Sequence, residues 1–300
     1  MFYYRRKIIL ALLQKFNGEL LSTPLQKYLF LLTRLQKEKA FDFIPYKYGC
    51  YSLQANQDLM VLEKMGYIKR EQNKNAILWK LVSKDDFIGA IRKEDLSCLN
   101  NVFRTFSEYR TNDLIKHTYL NFPFWAINST IINDILTEEE SSKVLRQKKQ
   151  SNEKTLFTIG YEGLSLEMYI NKLILNDIKV LCDVRKNSYS QKWGFSKATL
   201  QDACEKVGIK FIHIPQLGIE SGERQELSKL SDYKRLFASY ESTTLVENNS
   251  SLLELARLVV SNKRVALTCF EKDVQMCHRG VVASQLMKLD SLKAFNHKDL

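Results

Sequence analysis

From residue 155 onward, short apolar runs alternate with longer amphipathic stretches, and this alternation constrains the fold more than any other feature of the chain. Residues 156–160, 180–184, 211–214 and 265–269 read as strands, each mostly apolar, although Asp183 and His213 interrupt two of them. Residues 164–175, 197–207, 252–260 and 279–287 read as helices, with Gly208 as a stop and Pro215 closing the third strand. Strands that are apolar on both faces and joined by helix-length connections need a parallel sheet covered on both sides. The expectation for residues 151–300 is therefore an α/β domain with a Rossmann-like, mostly parallel sheet. Sheets of that kind bind ligands beyond the carboxyl ends of their strands.

Those ends are rich in chemistry. The first run leads into Gly160, Tyr161 and Glu162, and the second into Asp183 and Arg185. The third leads into Leu217 and Gly218 and then a mobile-looking stretch at 220–224. The fourth leads into Cys269 and Glu271 and, through Cys277, His278 and Arg279, into the last helix. If the strands are parallel, these groups face one region. Arg185 and Arg279 suit bidentate capture of a phosphate or carboxylate, and Arg279 stands near a helix start whose N–H groups favour anions. Asp183 and Glu271 suit general base and acid, or contacts to a ribose hydroxyl. Cys277 beside His278 at a helix N-terminus suits a nucleophile, although neighbours at a helix start need not face one another. Gly160, Tyr161, Glu162, Arg185, Gly218, Cys269 and Arg279 form the expected ligand-binding set. Asp183, Glu271, Cys277 and His278 form the expected catalytic one.

Each group also has a plain structural alternative. Cys182 and Cys269 end apolar strands as small core residues do, and Cys277 is balanced between packing and chemistry. Asp183 with Arg185, and Glu271 with Arg279, are possible ion pairs, and His117 and His213 fit as core histidines. Cys269, Cys277 and His278 have the composition of a zinc site but lack a second close ligand pair, so no metal is expected. A P-loop, a Gly-rich dinucleotide fingerprint and a metal-dependent nuclease cluster are all missing from the sequence, so no cofactor is expected either.

The motifs Thr158-Ile159-Gly160-Tyr161, Asp183-Val184-Arg185, Leu217-Gly218 and Cys269-x-Glu271-x5-Cys277-His278-Arg279 resemble those of domain-of-unknown-function family 488 (DUF488). Spacing and order match over residues 155–297, including His297. The family often has His where this chain has Tyr161, which puts in doubt any mechanism needing an imidazole there. The resemblance implies a fold more than an activity.

The first 82 residues are different in kind. They hold 14 Lys/Arg against 6 Asp/Glu, whereas residues 83–150 hold 10 of each, so the basic excess of the chain is concentrated at the N-terminal end. Helices are expected over 4–16, from a Ser22-Thr23-Pro24 cap through Leu35, and over 52–65, with Gly66 as a stop. An extended segment at 41–48 separates the second helix from the third. Strands at 67–70 and 76–81 flank a turn at Asn73, Lys74 and Asn75. Three helices followed by a basic hairpin is the layout of a winged helix-turn-helix α+β domain. In it Gln54 and Gln57 would be exposed on a recognition helix, and Lys47, Lys69, Arg70, Lys74 and Lys80 would meet phosphates. Asp58 and Glu63 make that helix less basic than a dedicated reader's, which favours backbone contact over sequence reading. The stretch Phe43-Ile44-Pro45-Tyr46-Lys47-Tyr48-Gly49, with Asp58-Leu59, Leu62 and Gly66-Tyr67-Ile68, resembles the phage-associated Panacea (SocA-like) domains over about residues 5–125. That likeness implies regulation, toxin neutralisation or conflict with mobile elements. Phe122, Phe124 and Trp125 read as core.

The expected organisation is a winged-helix module at 1–82, a helical extension and linker at 83–150, and the α/β domain at 151–300. The absence of a long apolar run argues against a membrane partner, and scattered cysteines without a secretory signal fit a reducing cytoplasm. The expected function is a nucleic-acid-associated protein, on DNA or RNA, whose α/β domain binds and processes an anionic, nucleotide or modified-base ligand. The chemistry would be hydrolytic or glycosidase-like, with a role in defence. A non-catalytic ligand-sensing regulator and an antitoxin-like module with a protein partner are the alternatives.

Overall fold

The computed structural model describes residues 2–73, 76–220, 222 and 229–300. The chain divides into two compact units, Met1–Lys148 and Lys149–Leu300.

In the first unit, helix α1 (Tyr4–Lys15) is followed by a short strand β1 (Glu19–Leu21), helix α2 (Ser22–Leu35), the hairpin β2 (Ile44–Tyr46) and β3 (Gly49–Tyr51), helix α3 (Leu53–Lys64), and the hairpin β4 (Ile68–Asn73) and β5 (Ala76–Leu81). Strands β1, β5 and β4 form an antiparallel sheet in that order. β1 is too short to show in sequence periodicity. It pairs Leu20 with Trp79, whose ring is fully buried and whose Nε1 donates to Ser22 Oγ at 2.9 Å. Ser22 thus lies inside α2 and ties it to β5 instead of capping it; the helix starts from Leu21. Ser52 does cap α3, accepting from the Ala55 N–H. Helices α4 (Lys93–Phe106), α5 (Thr111–Asn121), α6 (Ile132–Ile135) and α7 (Glu138–Leu145) follow. Leu99, Val102 and Phe106 of α4 join the same core as α1 and α2. Phe122 and Trp125 pack edge-on to Phe30, as expected of core residues.

Ionisable side chains are held inside this unit, among them Asp58 and Lys27. Asp58 is fully buried on α3 and accepts from the guanidinium groups of Arg5 and Arg6. Lys27 is buried at the β2–β3 turn, where Nζ bonds the Tyr48 carbonyl, lies 3.4 Å from Cys50 Sγ and faces the Tyr119 ring. Gly49 is required there: its φ is +89°, and a Cβ would run into Lys27 Nζ and Tyr119.

The second unit contains β6 (Thr155–Gly160), α8 (Leu166–Leu175), β7 (Val180–Asp183), α9 (Lys197–Glu205), β8 (Lys210–His213), α10 (Leu230–Ser242), α11 (Thr244–Glu247), α12 (Asn249–Asn262), β9 (Arg264–Cys269), α13 (His278–Met287) and β10 (Asn296–Asp299). The five strands form one all-parallel sheet in the order β10-β6-β9-β7-β8. It has one strand more than expected, because β10 (Asn-His-Lys-Asp) is exposed and polar throughout. Strands β6, β7 and β9 are buried at every residue, which accounts for their largely apolar sequences, with Asp183 and Arg264 buried at strand ends. The chain adds β7 and β8 in one direction and β9 and β10 in the other. Right-handed crossovers then put α8 and α9 on one face and α12 and α13 on the opposite face. Packing agrees: Val265, Leu267 and Cys182 share a core with Leu255, Val259 and Val282, while Thr268 accepts on the other side from Tyr169 of α8 at 2.7 Å.

Burial drives the Lys27 pKa down from its ordinary value of 10.5, so the folded chain binds fewer protons than the unfolded one between the depressed value and 10.5. Folding stability from this residue therefore rises with pH across that window. The Tm of the wild type relative to Lys27→Met is expected to climb as pH rises through it; a flat or falling difference would show that Lys27 stays charged.

Candidate functional site

Alternation along the strands sorts the strand-end residues onto two faces. On the α8–α9 face, Asp183 is fully buried and both its oxygens are taken by Arg185, with Nε at 2.8 Å and Nη2 at 2.6 Å. Arg185 Nη1 donates to the Tyr161 hydroxyl at 2.7 Å, and the Tyr161 ring stacks on Phe195 with centroids 4.3 Å apart. This cluster is a closed ion pair in an aromatic box, and Asp183 and Arg185 are committed to each other. His213 is tied to the Arg185 carbonyl through Nε2 at 2.9 Å, as a satisfied histidine should be.

On the α12–α13 face stand Cys269, Glu271, Cys277 and His278. β9 ends at Cys269, the chain turns through residues 270–276, and Cys277 precedes the first residue of α13, His278. Cys269 Sγ lies 3.3 Å from Glu271 Oε2 and 3.8 Å from His278 Nδ1. His278 Nε2 lies 2.9 Å from the Val184 carbonyl. A carbonyl only accepts, so Nε2 carries a hydrogen, and Nδ1 is turned towards the Cys269 thiol. Burial, followed by the Cys269 and Glu271 neighbours, pushes the Cys277 thiol well above its ordinary value, so as a thiol it is not an activated nucleophile.

Arg279, Gly160 and Gly218 hold the frame of the site. The Arg279 guanidinium is fully buried; Nη1 donates to the Glu271 carbonyl, Nη2 donates to the Lys272 carbonyl at 3.0 Å, and Nη2 lies 3.6 Å from Asp299. The anion-capturing role expected of Arg279 is thus replaced by a grip on the loop after β9. A Cβ on Gly160 would overlap the Glu271 carbonyl oxygen, and one on Gly218 would overlap the Lys186 backbone, so both glycines allow close passage of main chain. Glu162 is exposed and its carboxylate accepts from the Lys272 N–H at 2.9 Å.

A cavity of about 190 Å³ opens beside Glu271 and His278. Its other walls are Ile219, Met276 and, from α10, Tyr233, Leu236 and Phe237. Sequence reasoning missed α10, although Tyr233, Leu236, Phe237 and Tyr240 follow the i, i+3, i+4, i+7 spacing of an amphipathic helix. Tyr240 anchors that helix by donating to the Leu217 carbonyl at 2.6 Å, and its ring meets the His278 ring edge-on.

The family model for DUF488, a domain of unknown function, matches residues 165–286. The second unit carries a DUF488 domain. The matched span holds Asp183, Arg185, Cys269, Glu271, Cys277, His278 and Arg279, and begins after Gly160 and Tyr161. No curated protein matches the chain.

In the first unit, Lys47, Gln57, Lys69 and Arg70 are exposed, and Gln54 and Lys80 half-exposed. Lys69 and Lys80 both reach Glu71 at 2.8 Å, and Arg70 reaches Glu63 at 3.1 Å. Lys74, and Ser221, Glu223 and Arg224 of the stretch expected to be mobile, lie outside the described residues.

Replacing Gly160 with Ala in the second unit is expected to cost on the order of 3 kcal/mol, since backbone and not a flexible side chain must move. Chemical denaturation of the full-length protein measures it, and a loss below about 0.5 kcal/mol would mean the loop does not cross β6 as described.

Proposed function

We propose that this protein associates with nucleic acid through its first unit and that its DUF488 domain binds and hydrolytically processes a base-sized ring. The observation that carries this reading is the cavity at the strand ends, with aromatic and aliphatic walls and a carboxylate and an imidazole at one side. A cavity of roughly 150 Å³ accepts benzene, so 190 Å³ suits a single nucleobase ring system and leaves any sugar and phosphate outside. The ligand class thereby narrows from nucleotide to base. Glu271 is the group placed to move protons at the bound ring, and the Asp183–Arg185 pair acts as scaffold.

For the first unit, the order α1-β1-α2-β2-β3-α3-β4-β5 with a β1-β5-β4 sheet supports the winged-helix reading, with the β2–β3 hairpin inserted between the second and third helices. Arg5 and Arg6 neutralise Asp58, so the exposed side of α3 is less acidic than its sequence suggests. The pairs made by Lys69, Arg70 and Lys80 are solvent-exposed surface pairs, weak enough to be exchanged for phosphates.

Binding to labelled duplex and single-stranded nucleic acid across a salt series tests the first half. Lys69→Ala with Arg70→Ala should flatten the log–log salt slope by about 2, at about 0.9 for each phosphate no longer neutralised. An unchanged slope would remove this hairpin from the interface.

For the second half, free bases and nucleosides are screened for a rise in Tm and then for turnover. Glu271→Gln is expected to keep the Tm shift and lose turnover by about 10²–10⁴-fold. A ligand that binds the wild type and is never converted would favour the sensing regulator.

A further inference from the structure

Cys269 Sγ, Cys277 Sγ and a ring nitrogen of His278 all lie within 4.8 Å of one another, and all three residues are buried. We infer that these three residues bind a zinc ion whose fourth position, held by water, faces the cavity beside Glu271.

The geometry comes close to a coordination sphere. Ligand sulfur and nitrogen atoms around a tetrahedral zinc sit roughly 3.6 Å apart, given Zn–S of about 2.3 Å and Zn–N of about 2.1 Å. Cys269 Sγ and His278 Nδ1 are 3.8 Å apart. The imidazole is already oriented for coordination, because its Nε2–H is spent on the Val184 carbonyl. That bond turns Nδ1 towards the two sulfurs, as outer-shell partners of zinc-bound histidines do. Two thiols and an imidazole suit zinc over magnesium or calcium, which take oxygen. The sequence shows the ligand types but not their convergence, because they are eight and nine residues apart and come from a strand end and a helix start; the turn through residues 270–276 brings them together.

Three protein ligands leave one position open, the pattern of a catalytic zinc. Glu271 and His278 line the cavity whereas the two cysteines do not, so the open position and the carboxylate share the side on which the ring would sit. Zinc lowers the pKa of bound water to about 7 and supplies a hydroxide nucleophile. Glu271 would take the proton of that water, the oxygen would add to an electrophilic carbon of the ring, and Glu271 would return the proton to a departing nitrogen. A C–O bond forms, a C–N bond breaks, and no oxidant or reductant is needed. The metal site stands on its own geometry; only its substrate rests on the base-processing reading.

The test uses the full-length protein, with its thiols counted as reduced, stripped by chelator and titrated with Co²⁺. The expected result is one equivalent bound, with sulfur-to-cobalt charge-transfer absorption and tetrahedral d–d bands that Zn²⁺ abolishes. Cys277→Ser and His278→Gln, each checked for an unchanged circular dichroism spectrum, should weaken cobalt binding by more than about tenfold, whereas Cys98→Ser should not. Glu271→Gln should retain the cobalt spectrum while losing turnover. Failure of the wild type to bind cobalt, an octahedral spectrum without charge transfer, or loss of cobalt in Glu271→Gln would overturn the assignment. Cobalt bound as described by a protein that takes up no base would leave the zinc site standing and remove the proposed substrate.

Discussion

The grip of Arg279 on the loop after β9 is the contact on which the site depends. A guanidinium with no solvent exposure needs internal acceptors, and its two Nη groups find them on the carbonyls of Glu271 and Lys272, with Asp299 at 3.6 Å, while Nε has no hydrogen-bond partner among the described residues. Because Arg279 is the second residue of α13, the same contact fixes the start of that helix against the turn that precedes it. The distance between Cys269 and the Cys277–His278 pair is thereby set. Gly160 permits it, since a side chain there would occupy the place of the Glu271 carbonyl.

β9 gives this arrangement its sidedness. It lies between β6 and β7, whose onward connections leave on the α8–α9 face, while its own leaves on the other. Odd-numbered residues of β9 meet α12 and α13 and even-numbered ones meet α8. Cys269 and Asp183 end neighbouring strands, yet they belong to opposite faces. The strand-end inventory that sequence suggests as one pocket is two clusters, one spent on structure and one bordering a cavity. The chain just after β7 serves both faces: the Val184 carbonyl holds His278, and the Arg185 carbonyl holds His213.

The α/β class, the strands 156–160, 180–184, 211–214 and 265–269 to within a residue or two at each end, and the residues around Cys269 were legible because continuous apolar runs have few other uses. β10 was not, since an edge strand facing water carries no apolar pattern, and β1 was not, being three residues long. Roles were less legible than positions. Sequence shows that Arg185 and Arg279 stand at strand and helix ends, but burial and partner choice decide that both serve the protein instead of an anion. The pairing of Cys269 with residues eight and nine positions later depends on a turn whose shape no local propensity dictates.

This division of roles bears on Tyr161, which lies outside the matched span and is the position at which the sequence departs from the DUF488 motifs it otherwise resembles. An imidazole required for chemistry would have to stand on the cavity side. Tyr161 instead accepts from Arg185, stacks on Phe195 and meets Phe270 edge-on, all within the aromatic box around the Asp183 ion pair. A flat ring with one polar atom reaching Arg185 is what that place demands, and either tyrosine or a neutral histidine supplies it. The departure therefore falls on the scaffold, and the resemblance keeps Glu271 and His278, which border the cavity, together with Cys269 and Cys277 behind them.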